Sequence, residues 1–216
     1  MNTTKTLNRW MIALHLLVAV LLVGCSSKSS RVDQYISKAD NRFSSGDYAS
    51  AEIEYLNAIK LDDELHHAVA RLGVIYFDQG RLRQAASHLR RAGQLDPDNL
   101  EVAYRLALLY LASGDAAAAK ASSLEILEMD PQNRHAPIIL VTSLGIEHNQ
   151  ASEQIQQTLE AFEAGAPDNP SYQVAQAIRF ARLERMDEAK QAVQQALEID
   201  PHAAYAHSTF AKIYAA

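Results

Sequence analysis

The 216-residue chain has one cysteine, one tryptophan, eight glycines and six prolines. A single cysteine, Cys25, excludes any intramolecular disulfide. So little glycine and proline, in a chain that is 48% hydrophobic, excludes a disordered linker and favours an ordered helical domain. Basic surplus is missing as well. The net charge is −6 and no Lys/Arg tract occurs, which makes nucleic acid a poor partner. The longest apolar run, Trp10 to Val23, is 14 residues and is broken only by His15. That is short of the roughly 18–20 residues a spanning helix needs. Enzyme signatures are lacking too: there is no Gly-rich phosphate loop and no His-Glu-x-x-His zinc motif. His66 and His67 are adjacent and His202 and His207 are five apart, so neither pair shares a helical face. The composition therefore points to a non-catalytic chain with no metal and no cofactor.

What is present is a period. Gly46, Gly80 and Gly114 are 34 residues apart, and Ala51, Ala85 and Ala119 follow each by five. Asp96-Pro97, Asp130-Pro131 and Asp200-Pro201 close units, with Asp62-Asp63 at the matching place in the first. A fixed period of this length means stacked helical repeats, each unable to bury its apolar face alone. Glycine ends the first helix of a unit in a left-handed conformation. Asp-Pro stops the second helix. Small residues sit where two helix backbones cross, and large ones fill the gaps between them.

The pattern resembles the tetratricopeptide repeat. Residues 66–99 carry it best, with Val69, Leu72, Gly73, Tyr76, Gly80, Ala85, Leu89, Ala92 and Pro97 at the family's signature positions. The resemblance implies an all-α, right-handed superhelical solenoid over residues 32–216. Its units are 32–65, 66–99, 100–133, a divergent 134–169, 170–203 and a partial 204–216. The step from Pro131 to Pro201 is two residues longer than two periods, and the excess belongs to the fourth unit. That unit holds Pro137 and the apolar run Ile138, Leu140, Val141 and Leu144, followed by a stripe of Ile155, Leu159 and Phe162. It reads either as a degenerate repeat or as a kink that reshapes a binding groove. The turn of unit 170–203, Glu184 to Glu188, has no glycine. The last unit supplies Phe210, Ala211 and Tyr214; either this helix caps the array or the array continues beyond it.

The N-terminus resembles a bacterial lipoprotein leader. Lys5 and Arg9 precede the apolar run, and Leu22-Val23-Gly24-Cys25 matches the lipobox. The resemblance implies a signal peptide over 1–24 and a lipidated tether over 25–31. Cys25 would carry a diacylglycerol on its thiol and a palmitate-type acyl chain on its amino group. Two or more chains make anchoring stable at roughly 0.8 kcal/mol per buried CH₂. Ser26 follows the cysteine, which in such lipoproteins goes with the outer rather than the inner membrane of a bacterial envelope.

By the same family resemblance, positions 2, 5, 6, 9, 12 and 13 of each unit line a concave groove that takes protein or peptide segments. Its expected contact residues are Arg71, Val74, Phe77, Tyr104, Arg105, Leu108, Leu111 and Ile138. The carboxylate clamp of chaperone-binding members is missing: His67, Ala70 and Val74, or Glu101, Tyr104 and Leu108, stand in its places. Only Arg71 and Arg105 recur, one repeat apart. They either pair with acids of a partner or with Asp78 and Glu101 of the chain itself. The function implied is a lipid-anchored scaffold for an envelope machine, similar to repeat lipoproteins of exopolysaccharide/exosortase systems or of type IV pilus biogenesis. The alternative is an adaptor that regulates periplasmic peptidoglycan enzymes.

Overall fold

The computed structural model describes residues 28–144 and 151–215. Every regular element among them is a helix: α1 (28–44), α2 (Tyr48–Leu61), α3 (His66–Asp78), α4 (Leu82–Leu95), α5 (Leu100–Ser113), α6 (Ala116–Met129), α7 (Ala136–Leu144), α8 (Ala151–Gly165), α9 (Pro170–Arg182), α10 (Met186–Ile199) and α11 (Ala204–Tyr214). The leader and Cys25 lie outside the described residues. Residues 28–31, expected as part of the lipidated tether, belong to α1.

Each helix pair is built from the residues the period singled out. Gly46, Gly80 and Gly114 have φ of 78°, 71° and 77°. At each, an added Cβ would meet nothing within 4 Å, so glycine is there for its backbone and not for space. Gly73 is the opposite case. A Cβ on it would lie 2.7 Å from the buried Leu89 side chain and 3.2 Å from the Leu89 backbone nitrogen, so α3 and α4 cross in near-backbone contact there. The same position holds Ala39, Ala107 and Ala177 in other units, and each is fully buried. The closing aspartates work through their side chains. Oδ1 of Asp62, Asp130 and Asp200 accepts from the backbone N–H two residues on, turning the chain out of the second helix. Asn99 then caps α5 by accepting from Val102 N at 3.1 Å.

The divergent fourth unit enters in register. Asn133 accepts from Ala136 N at 3.1 Å, as Asn99 does from Val102 N, although residues 134 and 135 are not helical and α7 starts late. Pro137 falls in the first turn of α7, where no helical N–H is needed. Leu159 is fully buried, as are Tyr55 and Leu89 in their second helices, but it stands two residues later in the repeat. The extra pair therefore falls between Leu144 and Leu159, an interval that includes residues 145–150 outside the described ones. Unit 170–203 solves its glycine-free turn by placing Glu184 at φ 59°, the left-handed conformation that Gly46, Gly80 and Gly114 occupy elsewhere.

Packing across units decides the shape. First helices touch their successors, α3 with α5, α5 with α7, α7 with α9 and α9 with α11. The second helices α4, α6, α8 and α10 pack on the first helix of their own unit, and α2, α4, α6 and α10, with α8 more lightly, pack on that of the next; among the described residues, successive second helices make no comparable contact with each other. An array tight along one side and open along the other bends toward the tight side, so the first helices form the inner layer.

Two outcomes follow for stability, each read from chemical unfolding. Gly80→Ala or Gly114→Ala is expected to destabilise the array by about 1 kcal/mol through backbone strain alone, whereas Glu184→Gly is expected to be neutral or stabilising by up to about 1 kcal/mol. Gly73→Ala is expected to destabilise: overpacking against Leu89 costs about 1–3 kcal/mol, and the gain in helix propensity returns at most about 1 kcal/mol.

Candidate functional site

The inner layer carries the residues expected to bind, and the structure divides them into two groups. The polar ones are engaged with one another. Arg71 Nη1 donates to Glu101 Oε2 at 3.2 Å, and its guanidinium lies 4.7 Å from the Phe43 ring centroid. Arg105 Nη1 donates to Asp78 Oδ1 at 2.6 Å, Nη2 reaches Glu101 Oε1 at 3.5 Å, and the guanidinium lies 5.2 Å from the Phe77 centroid. Arg105 Nε is buried without an acceptor, so this arginine is held by its surroundings and not turned outward. The expectation of an arginine edge open to a partner's acids therefore meets occupied arginines. Each is neutralised by a carboxylate of a neighbouring unit or of its own helix.

The ladder continues toward the N-terminus. Asp40 on α1 receives the Tyr55 hydroxyl at 2.5 Å and faces His67 Nε2 at 2.7 Å. Burial, reinforced by the Asp40 carboxylate, pushes the Tyr55 phenol well above its ordinary range. On the far side of the same repeats, Arg81 binds Glu52 through both terminal nitrogens at 2.7 and 3.1 Å. That contact holds the Glu52 carboxyl below its usual range. Tyr76 joins this pair at 3.0 Å, and burial pushes its phenol up to about 12. These contacts bolt unit 32–65 to unit 66–99.

The apolar residues form the second group. Val74 is only 2% exposed and belongs to the interior, which corrects its place among the groove residues. Phe77, Tyr104, Leu108 and Leu111 are half-buried and packed against the cores beneath them. Tyr104, Leu108 and Leu111 have the i, i+4, i+7 spacing of one helix face. Phe77 and Leu111 occupy the same repeat position on touching helices. Ile138 is half-buried against a core that includes Val174, Ala203 and Ala206, and it joins α7 to α9 and α11.

One element of this surface had no signal in the sequence. His135, in the non-helical entry to α7, stacks on Tyr104 with ring centroids 4.6 Å apart, and its other edge meets Tyr205 of α11 at 6.3 Å. Burial alone lowers the imidazole pKa, so the ring is held neutral. The Ser171 hydroxyl donates to Arg134 O at 2.5 Å and lies 3.1 Å from the Tyr205 hydroxyl, while Arg134 Nη1 donates to Asp200 Oδ2 at 2.9 Å. The short connector before α7 thereby joins three units. Its aromatic plate extends the Tyr104 surface toward the C-terminal repeats. Among the described residues, no three His, Cys, Asp or Glu side chains converge as metal ligands, and no helix is long and apolar enough to cross a membrane.

Comparison with known proteins agrees with this architecture. Three tetratricopeptide-repeat models match, over residues 36–99, 76–139 and 180–202. A human protein, DnaJ homolog subfamily C member 3, is 32% identical over 111 residues, which are 50% of this chain and 21% of that protein. The chain thus aligns to about a fifth of that relative's length. A tetratricopeptide-repeat protein from Parabacteroides merdae superposes with a TM-score of 0.70 at 18% identity, over 86% of this chain and 73% of that one. YrrB, described as a tetratricopeptide-repeat protein with an unusual peptide-binding site, superposes with a TM-score of 0.62 at 18% identity, over 81% of this chain and 89% of that one. At such identities the structural likeness speaks for the fold alone. With its periodic glycines, crossing alanines and inner helix layer, the chain belongs to the tetratricopeptide-repeat family, a fold suited to protein–protein interaction.

Proposed function

We propose that the protein is a non-catalytic scaffold, anchored by lipid on Cys25 in a bacterial envelope, that holds a segment of a partner while an export, pilus or secretion machine is assembled. The observation that carries the binding half of this reading is the half-buried apolar row Phe77, Tyr104, Leu108 and Leu111 on the inner layer, extended by His135. Aromatic and aliphatic groups seated on a packed core are pre-ordered, so a partner that covers them meets little entropic cost on this side. The flanking arginines add no free charge to that surface, because Asp78 and Glu101 already hold them. An amphipathic helix or extended segment with apolar anchors fits such a groove better than an acidic tail does. YrrB, which shares the fold, has a peptide-binding site by its own description, and that supports a peptide as the class of ligand.

The anchoring half rests on Leu22-Val23-Gly24-Cys25 and on the positively flanked apolar run before it. Ser26 favours the outer membrane, with the repeats facing the periplasm.

Tyr104→Ala with Leu108→Ala is expected to weaken partner capture roughly tenfold or more, as loss of a central anchor does. Arg71→Gln is expected to leave capture unchanged and to lower stability by at most about 1 kcal/mol, since its ion pair is partly exposed. The measurement is a photo-crosslinker placed near Tyr104 in growing cells, with the adduct identified by mass. A secretin or polysaccharide-export subunit is the expected adduct; a peptidoglycan hydrolase or synthase would replace the assembly role with that of an adaptor. For the anchor, Cys25→Ala is expected to move the protein from the membrane to the soluble fraction on cell fractionation. Continued pelleting with membranes would rule out lipid attachment at this residue.

A further inference from the structure

Two helices on the outer side of the array carry charge of one sign. α4 contains Arg83, Arg90 and Arg91 and no acid. α8 contains Glu153, Glu160 and Glu163 and no base. Both are second helices. Among the described residues α4 packs chiefly against α3 and α5, and α8 packs lightly against α7 and α9; each keeps a row of exposed residues.

The exposed rows match in spacing. On α4, Arg83, Ser87, Arg90 and Gln94 are all exposed at i, i+4, i+7 and i+11. On α8, Glu153, Gln157, Glu160 and Ala164 are exposed at the same intervals. Two arginines seven residues apart and two glutamates seven residues apart each span about 10.5 Å along a helix. Either direction of pairing therefore sets both arginines opposite both carboxylates.

These side chains are not committed elsewhere in the way the inner-layer arginines are. Arg83 has no ion pair among the described residues, and Arg90 donates only to its own helix, at Ala86 O. Glu160 accepts from Gln156 Nε2 at 2.7 Å and feels the Arg179 guanidinium of α9, but it makes no ion pair among the described residues. The acids that do face the basic row come from the connector before α3. Asp63 holds Arg91 through its backbone carbonyl at 2.8 Å and its carboxylate at 3.4 Å. Glu64 lines an open groove of about 570 Å³ beside Ser87, Arg90, Arg91 and Gln94. Glu64 thus shares a groove with Arg90 without an ion pair, and Arg83 stands clear of both acids, in a chain whose net charge is −6.

We propose that the α4 face of one copy docks on the α8 face of a second copy, forming a twofold pair in which the contact is made twice. Both faces belong to the layer of second helices, two units apart. Laying two arrays side by side brings α4 of each against α8 of the other. A single exposed ion pair is weak, but a twofold pair holds four Arg–Glu contacts at once. The association is electrostatic and is lost at high salt, where the screening length drops to a few ångströms.

The test is sedimentation velocity of the full chain in a non-ionic detergent that masks any lipid anchor, over a range of protein and salt concentrations. At low salt the wild type is expected to shift toward twice the monomer mass as concentration rises, and to return to monomer at high salt. Arg83→Glu with Arg90→Glu, and separately Glu153→Lys with Glu160→Lys, are each expected to remain monomeric with unchanged helical circular dichroism. An equimolar mixture of these two variants restores both contacts with their signs matched, and is expected to form the pair again. A wild type that stays monomeric at low salt, a mixture that does not pair, or pairing that survives high salt would each overturn the proposal.

Discussion

The rest of the molecule depends on the close crossing of two helices inside each repeat. Where α3 meets α4, Gly73 lies so near Leu89 that a single methyl group would have to displace a buried side chain. Ala39, Ala107 and Ala177 mark the same crossing elsewhere and are fully buried. Close crossings let the next first helix approach, and contact between successive first helices then builds the inner layer. Successive units extend the inner layer through direct helix contact, so it is where a binding face can be long. The solenoid, its curvature and its groove are thus consequences of one steric requirement repeated along the chain.

That inner layer is held together by charge and lined by apolar groups, and the two play different parts. Arg71, Arg105, Glu101 and Asp78 alternate between units and neutralise one another across the repeat joints. Partly exposed pairs of this kind contribute little energy singly. The apolar row at Phe77, Tyr104, Leu108 and Leu111 is left as the surface with something to gain from being covered. The outer side is the reverse. There α4 carries arginines without an acid and α8 glutamates without a base.

Much of this was legible in the sequence, because repetition lets each position be read several times. The left-handed glycines, the aspartate turns and the small crossing residues each have one physical cause, and that cause acts locally. Glu184 shows why the reading works and where it stops. The turn was visible as glycine-free, but only the backbone shows that a glutamate takes the glycine's conformation at φ 59°. The site was less legible. Val74 and Leu108 occupy the same repeat position, yet one is buried and the other half-open, since exposure depends on the neighbouring unit and not on the position. Arg71 and Arg105 were visible as a recurring pair, and Glu101 and Asp78 as their possible partners. Choosing between a partner protein and those acids needed distances.

The sequence by itself determined the period, the helix ends and the crossing residues, because these are set by contacts within about one repeat of chain. It also placed two extra residues in the fourth unit by arithmetic alone. Tertiary structure decided what those elements present to the outside. It neutralised the arginines of the inner face, drew Val74 into the interior, and stacked His135 of the α7 entry between Tyr104 and the Tyr205 of a helix some seventy residues on. It also left a basic row on α4 and an acidic row on α8 exposed. Those outcomes depend on which side chains from different units meet, and no single repeat contains that information.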